Sequence, residues 1–472
     1  MTQHLWINGK ETSTDSYQTL LSPYSNKVIG KVALGEEQHV KLAIEAASTA
    51  FTQFKRMPAY KRAEILERVV QMMKEEKEEC AELIAKEAAK PLKDALTEVD
   101  RTIMTYTFAA QEARRLYGQS LPMDAAPGGE NRIAYTVREP LGVIAAITPF
   151  NFPMNLVAHK VGPAIAAGNS IVLKPASQTP LSAYKIAALF DRAGLPDGVL
   201  NVVTGRGSKL GDTLITSDEV KMVTFTGSPK VGAAIRQKAG LKKVTLELGS
   251  NSAVIVDEDT NIEENIGRIV KGAFAYQGQV CISVQRIYVE ASIYEKFIDA
   301  FINEVKSLTL GDPLSKNTDV SALISPKEIK RVQSWIDEAV EQGAILQHGG
   351  QVEDGMLQPT VILHAPQHVR VSCEEVFAPI VTINSFTHFN EVVKEVNNSK
   401  YGLQAGVYTK DINKAFWAAK ELEVGGVMIN EIPTFRVDHM PYGGVKESGM
   451  GREGIQYAIE EMTELKLISI KL

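Results

Sequence analysis

The chain has little cysteine, and none of it is spaced for a disulfide framework or a zinc site. Only three cysteines occur among 472 residues, Cys80, Cys281 and Cys373, and no C-x-x-C pair is present. An odd number without such spacing argues against both kinds of site. The eight histidines show no metal-ligand spacing either. The sequence therefore predicts a reducing, cytoplasmic setting and no bound metal.

Dense basic segments and long apolar stretches are also missing. The 57 acidic residues outnumber the 51 basic ones, which gives a formal charge of -6, and no Lys/Arg block forms a phosphate-binding stripe. A nucleic-acid partner is therefore not expected. No apolar run approaches the roughly eighteen residues of a membrane span, and the N-terminal residues lack a signal-peptide pattern. We expect neither a membrane segment nor a secretion signal.

The chain does contain regular alternation of helical and strand patterns. Residues 37–117 have the composition and spacing of several long helices. From residue 142 onward, short apolar strands alternate with helical stretches, which is typical of parallel, doubly wound sheets. The strand candidates are 143–147, 170–173, 199–203, 222–225 and 244–246, followed by 252–256, 286–289 and 425–429. We therefore expect an α/β protein with two doubly wound domains.

A small β arm is expected beside these domains. Residues 132–138 alternate polar and apolar side chains after a segment rich in Pro, Ala and Gly, and residues 463–472 alternate in the same way at the end of the chain. A lone terminal strand needs a partner sheet, which another subunit could supply. We assign 1–117 and 140–247 to the first domain, 248–454 to the second, and 118–139 with 455–472 to the arm.

Cys281 and Glu247 form a candidate pair of nucleophile and base. Glu247 directly follows the strand candidate 244–246, where the two predicted domains join, and Cys281 follows in Q-G-Q-V-C. A thiol needs only modest activation to attack a carbonyl carbon, and a nearby carboxylate can activate water. The alternative for Cys281 is a small buried apolar side chain. Cys80, Cys373, His159 and His439 are interpreted as structural.

Asn151 is a candidate oxyanion donor. It lies in T-P-F-N-F-P, directly after the strand candidate 143–147. Open α/β sheets bind their ligands at the carboxyl ends of strands, and an amide there can donate to a developing oxyanion. An asparagine chosen only for turn geometry is the alternative.

Three other strand ends have residues suited to a phosphate or ribose. Lys174 begins K-P-A-S after one strand, although a solvated lysine is the alternative. The segment F-T-G-S-P-K-V-G at 225–232 joins a strand to a helix, whose free N–H groups can hold a pyrophosphate. It matches neither a G-x-G-x-x-G fingerprint nor a P-loop. Gly207, in Gly205-Arg206-Gly207, is a weaker candidate of the same kind.

Two later segments complete the set. Glu375, in E-E-V-F-A-P, could offer its carboxylate to a ribose diol while Phe377 packs on a cofactor ring, although paired acids are often only solvated. The glycine-rich segment 441–453 is predicted to form neither helix nor strand, and to be a connector or a wall of the site.

In order and spacing, these motifs resemble the aldehyde dehydrogenase superfamily over essentially the whole chain. They are T-P-F-N-F-P, K-P-A-S, F-T-G-S-P-K-V-G, L-E-L-G, Q-G-Q-V-C, E-E-V-F-A-P and P-Y-G-G-V-K-E-S-G-M-G-R-E-G. The resemblance implies NAD(P)-dependent oxidation of an aldehyde, with 1–117 and 140–247 as the cofactor domain and 248–454 as the catalytic domain. It also implies a homodimer or homotetramer built through the arm.

The resemblance assigns roles residue by residue. Cys281 would be the nucleophile, Glu247 the base that activates water, and Asn151 the oxyanion donor that also contacts the substrate, while Lys160 would belong to the same site. The implied cofactor contacts are Thr148, Pro149, Phe150, Lys174, Ala176, Ser177, Gly207, Gly211, Phe225, Thr226, Gly227, Ser228, Val231, Leu248, Gly249, Glu375 and Phe377. Because Glu247 is present, hydrolysis is favoured over acyl transfer to coenzyme A. A coenzyme A-acylating enzyme, a cysteine hydrolase and a non-catalytic protein with this fold remain alternatives.

Departures from the family pattern concern cofactor and substrate. Many NAD-preferring members have a glutamate where this chain has Ser177, so NADP is expected to be accepted. Arg101 and Arg436 occupy positions that resemble anion-binding arginines of non-phosphorylating glyceraldehyde-3-phosphate, lactaldehyde and sulfolactaldehyde dehydrogenases. Val280 stands where phosphate binders usually have arginine, which disfavours a phosphate. Alternatively, Arg436 pairs with Asp438 and Arg101 with a helix neighbour.

Overall fold

The computed structural model describes residues 2–472. Numbered in chain order, its helices are α1 Glu37–Phe54, α2 Ala59–Glu75, α3 Lys77–Ala88, α4 Leu92–Ala113, α5 Asn155–Ala167, α6 Leu181–Arg192, α7 Gly207–Thr216, α8 Pro229–Lys238, α9 Ile262–Phe274, α10 Tyr294–Lys306, α11 Pro326–Glu341, α12 Arg370–Cys373, α13 Phe389–Asn397, α14 Ile412–Glu421 and α15 Ile455–Glu461. Its strands are β1 Thr2–Gln3, β2 Leu5–Ile7, β3 Lys10–Thr12, β4 Tyr17–Leu21, β5 Val28–Ala33, β6 Ser120–Leu121, β7 Arg132–Pro140, β8 Val143–Ile147, β9 Ser170–Lys174, β10 Leu200–Val202, β11 Val220–Thr226, β12 Lys243–Glu247, β13 Ala253–Val256, β14 Arg286–Glu290, β15 Ile345–His348, β16 Val352–Glu353, β17 Met356–Leu357, β18 Thr360–Leu363, β19 Ile380–Phe386, β20 Tyr401–Gly402, β21 Gln404–Tyr408, β22 Gly426–Ile429, β23 Val445–Lys446, β24 Gly449–Met450 and β25 Thr463–Lys471.

The first α/β unit is built on an eight-stranded sheet. Its strand order is β24-β12-β11-β8-β9-β10-β2-β3, and the central strands from β12 to β10 run parallel. The central strand β8 is largely buried, as continuous apolar strands in parallel sheets usually are. Separate apolar cores cover the two faces of the sheet. Because β11, β8 and β9 are parallel neighbours, their carboxyl ends meet at one edge.

The second unit has a seven-stranded sheet with the order β15-β18-β19-β14-β13-β21-β22. All its neighbouring strands pair in parallel except β15 with β18. Apolar clusters again pack on both faces. The predicted fold class, two doubly wound α/β units, is confirmed. The sequence prediction had missed β15, β18, β19 and β21, which also belong to this sheet.

The arm is a three-stranded sheet with the order β25-β7-β6. Strand β25 pairs with β7 from Thr463 opposite Pro140 to Lys471 opposite Arg132. Within the range 455–472, helix α15 instead contacts α4 and α5, and its Ile455 belongs to the core of the first unit. Leu465, Leu467, Ile470 and Leu472 expose large apolar side chains on the arm.

The glycine-rich segment 441–453 corrects one prediction, because it contains β23 and β24. Strand β24 pairs antiparallel with β12, and Gly449 lies opposite Glu247. A Cβ atom at Gly449 would lie 2.2 Å from the Leu246 carbonyl oxygen, so only glycine fits there. This strand forms because glycine lets its backbone approach that of β12 closely, not because apolar and polar side chains alternate along it.

Two structural observations concern the described residues as a set. In residues 2–472, no helix combines the length and apolar character needed to cross a membrane. Over the same range, no group of three or more His, Cys, Asp or Glu side chains is arranged to hold a metal ion.

Candidate active site

A cavity of about 270 Å³ brings together the predicted nucleophile, base and oxyanion donor. Cys281, Glu247 and Asn151 all line it, although they come from three distant parts of the chain. Arg101 and Arg436, the predicted substrate contacts, line the same cavity. Apolar and aromatic walls surround these polar groups, as in most small-molecule sites. Further lining residues include Phe152, Thr226, Leu248, Val280, Ile282, Phe435 and Tyr442.

Asn151 follows the carboxyl end of β8 and is only 1% exposed. Its side-chain amide donates to the Gln279 carbonyl oxygen at 3.0 Å, and its Oδ1 is buried without a hydrogen-bond partner. An amide has two N–H donors, so one remains for a substrate oxygen beside Cys281.

Cys281 follows a loop held in an unusual backbone conformation. Tyr276, Gln277 and Gly278 have φ values of 48°, 55° and 67°. These lie in the left-handed region, which residues other than glycine seldom adopt. Burial raises the pKa of the Cys281 thiol, and the charges of Glu375 and Glu247 raise it further. The nearby Asn151 side chain and Arg436 act in the opposite direction. The resting group is therefore a thiol.

Glu247 is the last residue of β12 and is 3% exposed. Neither of its carboxylate oxygens has a hydrogen-bond partner. Burial raises the pKa of Glu247 well above its ordinary value, and the neighbouring Glu453 raises it further. A Cβ atom at Gly443 would lie 2.9 Å from Glu247 Oε1, so the glycine-rich segment walls this carboxyl group. An unpaired carboxyl group with a raised pKa suits a base that works near neutral pH.

Next to Glu247, three buried charges form a chain. The carboxylate of Glu453 accepts from Lys160 Nζ at 3.1 Å and from Arg436 Nη2 at 3.0 Å. Lys160 also donates to Thr224 Oγ1 at 3.1 Å, and the Arg436 guanidinium lies 3.6 Å from the centre of the Tyr442 ring. Burial alone would raise the pKa of Glu453, but Lys160, His159 and Arg436 hold it below its usual value.

Arg101 pairs with Asp438 rather than with a helix neighbour. Its Nη2 and Nε atoms lie 2.7 Å and 3.2 Å from the two carboxylate oxygens. His159 Nε2 lies 2.9 Å from the same carboxylate, which fits the predicted structural role of His159. Because Arg436 pairs with Glu453, the partners proposed from the sequence for both arginines were wrong. Both arginines still line the cavity with part of their donors unused.

The other predicted cofactor contacts lie at neighbouring strand ends of the first sheet. Lys174 is 7% exposed, and its Nζ finds only the Pro175 carbonyl oxygen, at 3.4 Å. Burial lowers the pKa of Lys174, and within residues 2–472 it has no carboxylate partner. A Cβ atom at Gly207, the first residue of α7, would lie 4.0 Å from Lys174 Cε. A buried, uncompensated ammonium group beside a helix N-terminus fits a polyanionic or hydroxyl-bearing ligand.

Glu375 and Phe377 belong to the second unit, and with the strand-end residues around Lys174 and Ser177 they make up what we call the predicted cofactor groove. Glu375 accepts a hydrogen bond from the Ser250 N–H at 3.0 Å, and burial raises its pKa to about 7. Its carboxylate packs closely against Gly249, where a Cβ atom would be 2.7 Å from Oε2. The ring of Phe377 meets the ring of Phe150 edge to face, 5.8 Å apart.

The remaining predicted contacts surround these groups in the first sheet. The Thr148 N–H donates to the Lys174 carbonyl, and the Gly227 N–H donates to the Glu247 carbonyl. Ser177 Oγ donates to the Gly205 carbonyl oxygen at 3.4 Å. Outside the cavity described above lie Thr148, Pro149, Phe150, Lys174, Ala176, Ser177, Gly207, Gly211, Phe225, Gly227, Ser228, Val231, Gly249, Glu375 and Phe377. A dinucleotide is compatible with this arrangement. Polar groups lie at the strand ends, glycines permit close approach of the backbone, and helix N-termini offer free N–H groups.

Sequence reasoning missed several polar residues that line or support the cavity. Lys90, Glu98, Asp438 and Glu453 are 0% to 4% exposed, and Lys90, Glu98 and Glu453 line the cavity. The only local signal for Lys90 was its position between Ala-Ala and Pro, and this context does not distinguish a buried lysine from a solvated one. The other three are acids in ordinary helical or loop contexts, which nothing local distinguishes from surface residues.

Comparison with known proteins identifies the family. The family model described as the aldehyde dehydrogenase family matches residues 6–468. The chain belongs to the aldehyde dehydrogenase family. Among curated relatives of this aldehyde dehydrogenase, 3-sulfolactaldehyde dehydrogenase of Priestia aryabhattai is 45% identical over 468 residues, which cover 99% of this chain and 98% of the relative.

Solved structures agree with the family assignment. Aldehyde dehydrogenase 21 from Physcomitrella patens, solved with the reaction product succinate, matches with a TM-score of 0.97 and 38% identity, covering 100% of this chain and 98% of that one. Glyceraldehyde-3-phosphate dehydrogenase GapN from Methanocaldococcus jannaschii, complexed with NADP, matches with a TM-score of 0.94 and 40% identity, covering 97% and 100%. The predicted family, fold class and enzyme class, an NAD(P)-dependent aldehyde dehydrogenase, are confirmed.

Proposed function

We propose that this enzyme oxidises a short hydroxylated or anionic aldehyde to its carboxylic acid, with Cys281 as nucleophile. The observation that carries the proposal is the meeting of Cys281, Asn151 and Glu247 in one small cavity, with Glu247 free of hydrogen-bond partners. A thiol, an amide donor and an unpaired carboxyl group are the three groups that attack, oxyanion stabilisation and hydrolysis require.

The reaction begins when the Cys281 thiol gives its proton to solvent water and the resulting thiolate adds to the aldehyde carbon. The free N–H of the Asn151 amide and the backbone N–H of Cys281 donate to the oxyanion that forms. Held by the residues around Lys174, Ser177 and Glu375, a nicotinamide cofactor would supply the acceptor for the hydride of this carbon, and Cys281 would then carry an acyl thioester. Glu247 then takes a proton from water, which attacks the thioester and releases the acid and the Cys281 sulfur.

Arg101 and Arg436 are proposed to select the substrate. Both line the cavity, and because Asp438 and Glu453 neutralise part of their charge, they suit a hydroxyl or a single small anion. Support comes from the relative that acts on 3-sulfolactaldehyde and from the neighbour solved with succinate. Val280 beside the nucleophile disfavours a phosphorylated aldehyde. The cavity of about 270 Å³ favours short substrates.

The proposed cofactor contacts are the strand-end residues around Lys174, Ser177 and Glu375. Ser177 has no charge that would repel a 2′-phosphate, so we infer that NADP is accepted alongside NAD. A complex of GapN with NADP supports this inference.

We also infer that the enzyme is a homo-oligomer joined through the arm, in the cytoplasm. The exposed apolar side chains of β25 support a second copy as the partner of this sheet. Three free cysteines support a reducing compartment. Light scattering tests the oligomer by comparing the molar mass of the intact protein with that of a Leu465→Lys/Leu467→Lys variant. Only the variant should dissociate to a lower mass.

The central experiment is a kinetic panel of short neutral, hydroxylated, sulfonated, carboxylated and phosphorylated aldehydes with NADP and NAD, without coenzyme A. We expect turnover with lactaldehyde, 3-sulfolactaldehyde or succinate semialdehyde and a kcat/KM at least tenfold lower for glyceraldehyde 3-phosphate. Cys281→Ser should lower kcat by about 10⁴-fold or more, on the scale of other nucleophile deletions, whereas Cys373→Ser should not. Turnover only with coenzyme A present would favour the acylating alternative, and no turnover in the panel would reject the proposal.

A further inference from the structure

The junction between α3 and α4, residues 88–94, touches both halves of the catalytic machinery. It lies in sequence far from Asn151 and Cys281, and none of the reaction steps above uses it. The junction contains Ala89, whose φ of 49° is left-handed, and Lys90, which is 0% exposed. A buried lysine at a sharp chain reversal calls for a physical account, because an unpaired ammonium group is strongly disfavoured there.

The Lys90 ammonium contacts the segment that carries Asn151. Its Nζ donates to the Asn151 carbonyl oxygen at 2.6 Å and also pairs with Glu98 Oε2. The same ammonium lies 3.7 Å from the centre of the Phe152 ring and 4.3 Å from that of Tyr276. Two hydrogen-bond acceptors and two aromatic faces therefore fix it between the Asn151 segment and the nucleophile loop, residues 276–278 before Cys281.

Glu98 completes the hold on the same segment. It is 0% exposed, and its Oε1 accepts the N–H groups of Met154 at 2.9 Å and Asn155 at 3.2 Å. The carbonyl of Asn151 and these two amides, which follow it in the chain, are thus tied to one ion pair. Rotation of this turn would move the Asn151 side chain relative to the Cys281 sulfur.

The nucleophile loop is tied to the same junction by different contacts. The Tyr276 hydroxyl donates to the Ala88 carbonyl oxygen at 3.1 Å, and the Tyr276 N–H donates to Asp94 Oδ2 at 3.1 Å. Gln277 Nε2 donates to the Ala89 carbonyl oxygen at 2.9 Å. These contacts hold the left-handed residues that precede Cys281. The junction therefore contacts both segments of the proposed oxyanion site, the one with Asn151 and the one with Cys281.

We propose that Lys90 is a positioning residue that, with Glu98, sets the Asn151 amide relative to the Cys281 sulfur. The inference rests on the proposed function, because it acts through the oxyanion role of Asn151. A buried ion pair adds little net stability compared with apolar residues of the same shape, so its retention in the cavity wall fits a geometric role. Lys90 itself transfers no proton and forms no covalent bond.

The test is a four-protein cycle measured on the best aldehyde and cofactor from the kinetic panel. The proteins are the wild type, Lys90→Met/Glu98→Gln, Asn151→Ala, and the combination of all three substitutions. The amide introduced by Glu98→Gln keeps an oxygen for the Met154 and Asn155 N–H groups, so the double variant removes chiefly the Lys90 bond to Asn151. Lys86→Met/Glu82→Gln, which removes an exposed pair on α3, is the matched control and should keep wild-type kinetics.

Asn151→Ala should lower kcat by about 10²- to 10³-fold, the usual cost of one oxyanion donor. Lys90→Met/Glu98→Gln should lower kcat by about 10- to 100-fold, with the cofactor Kd within twofold of wild type. In the combined variant the loss should not exceed that of Asn151→Ala by more than about threefold, because Lys90 acts through Asn151. A merely structural role would instead make the two losses multiply.

Multiplying losses, or a double variant with kcat within twofold of wild type, would overturn the inference. If Asn151→Ala leaves kcat unchanged in an active wild type, the oxyanion role of Asn151 fails, and Lys90 loses its proposed target with it. If the double variant does not fold, as judged by circular dichroism, Lys90→Arg replaces it in the cycle. Arginine keeps a cation beside Glu98 but moves its donors away from the Asn151 carbonyl, so the same non-multiplying loss is expected.

Discussion

The two sides of Glu247 differ in how their polar groups are satisfied. In the cavity wall, Arg436 and Lys160 both bind Glu453, and Arg101 binds Asp438. In the predicted cofactor groove, Lys174 and Ser177 each make one long contact, of 3.4 Å, to a carbonyl oxygen. The charged groups of the cavity are therefore already paired, whereas the predicted cofactor groove keeps donors and acceptors unpaired. Substitutions in the cavity should alter kcat, and those in the groove should alter cofactor affinity and choice.

The largest effect that would sharpen this contrast is expected from Glu247→Gln. An amide cannot take the proton of the attacking water, so steady-state kcat should fall by about 10²- to 10⁴-fold. Acylation does not need the base, so rapid mixing should still give one burst of reduced cofactor per active site. Glu374→Gln, which removes an exposed partner of Lys400, is the control and should keep full turnover. A variant with neither burst nor turnover would show that Glu247 is needed before hydrolysis.

An intermediate effect is expected in the groove from Ser177→Glu. A carboxylate there would repel a 2′-phosphate, so the ratio of kcat/KM with NADP to that with NAD should fall about 30-fold, roughly 2 kcal/mol at short range. Initial rates at varied cofactor concentration measure this ratio, and Ser177→Ala is the neutral control. If the wild type strongly prefers NAD and Ser177→Glu leaves the ratio of kcat/KM values unchanged, Ser177 does not face the cofactor.

The smallest effect concerns the pH dependence of cofactor binding. Burial raises the pKa of Glu375 to about 7, so the folded enzyme holds this carboxyl group protonated below that pH. Above it, the carboxylate becomes the stronger acceptor for ribose hydroxyls, so cofactor KM should fall about fivefold as pH rises through 7, roughly 1 kcal/mol. Glu375→Gln should make the profile flat between pH 6 and 8. A KM that rises with pH in the wild type would contradict the predicted contact.

Local patterns predicted much of the fold because each pattern reports on its own segment. Continuous apolar runs mark β8 and β9, since parallel strands buried on both faces need such residues along their length. Strand β24 could not be found in this way, because backbone approach at Gly449 creates it. Helix α15 lies in the terminal segment but packs on α4 and α5, which no local pattern indicates.

The candidate site divides in the same way. Cys281, Glu247 and Asn151 could be selected from the sequence because each is a chemically distinctive residue in a recognisable motif at a strand end or loop. Partners could not be selected, because an arginine finds whichever carboxylate the fold places beside it. The sequence suggested Asp438 for Arg436, whereas the fold gives Asp438 to Arg101 and Glu453 to Arg436.

By itself the sequence determined the family, the alternating α/β architecture and which residues we propose as nucleophile, oxyanion donor and base. Only the tertiary structure decided which charges neutralise one another, that Glu247 stays unpaired, and that Lys90 reaches the Asn151 carbonyl. The physical reason is range. Strand pattern and side-chain chemistry are properties of a few neighbouring residues, whereas burial, pairing and pKa depend on atoms brought together from hundreds of residues apart.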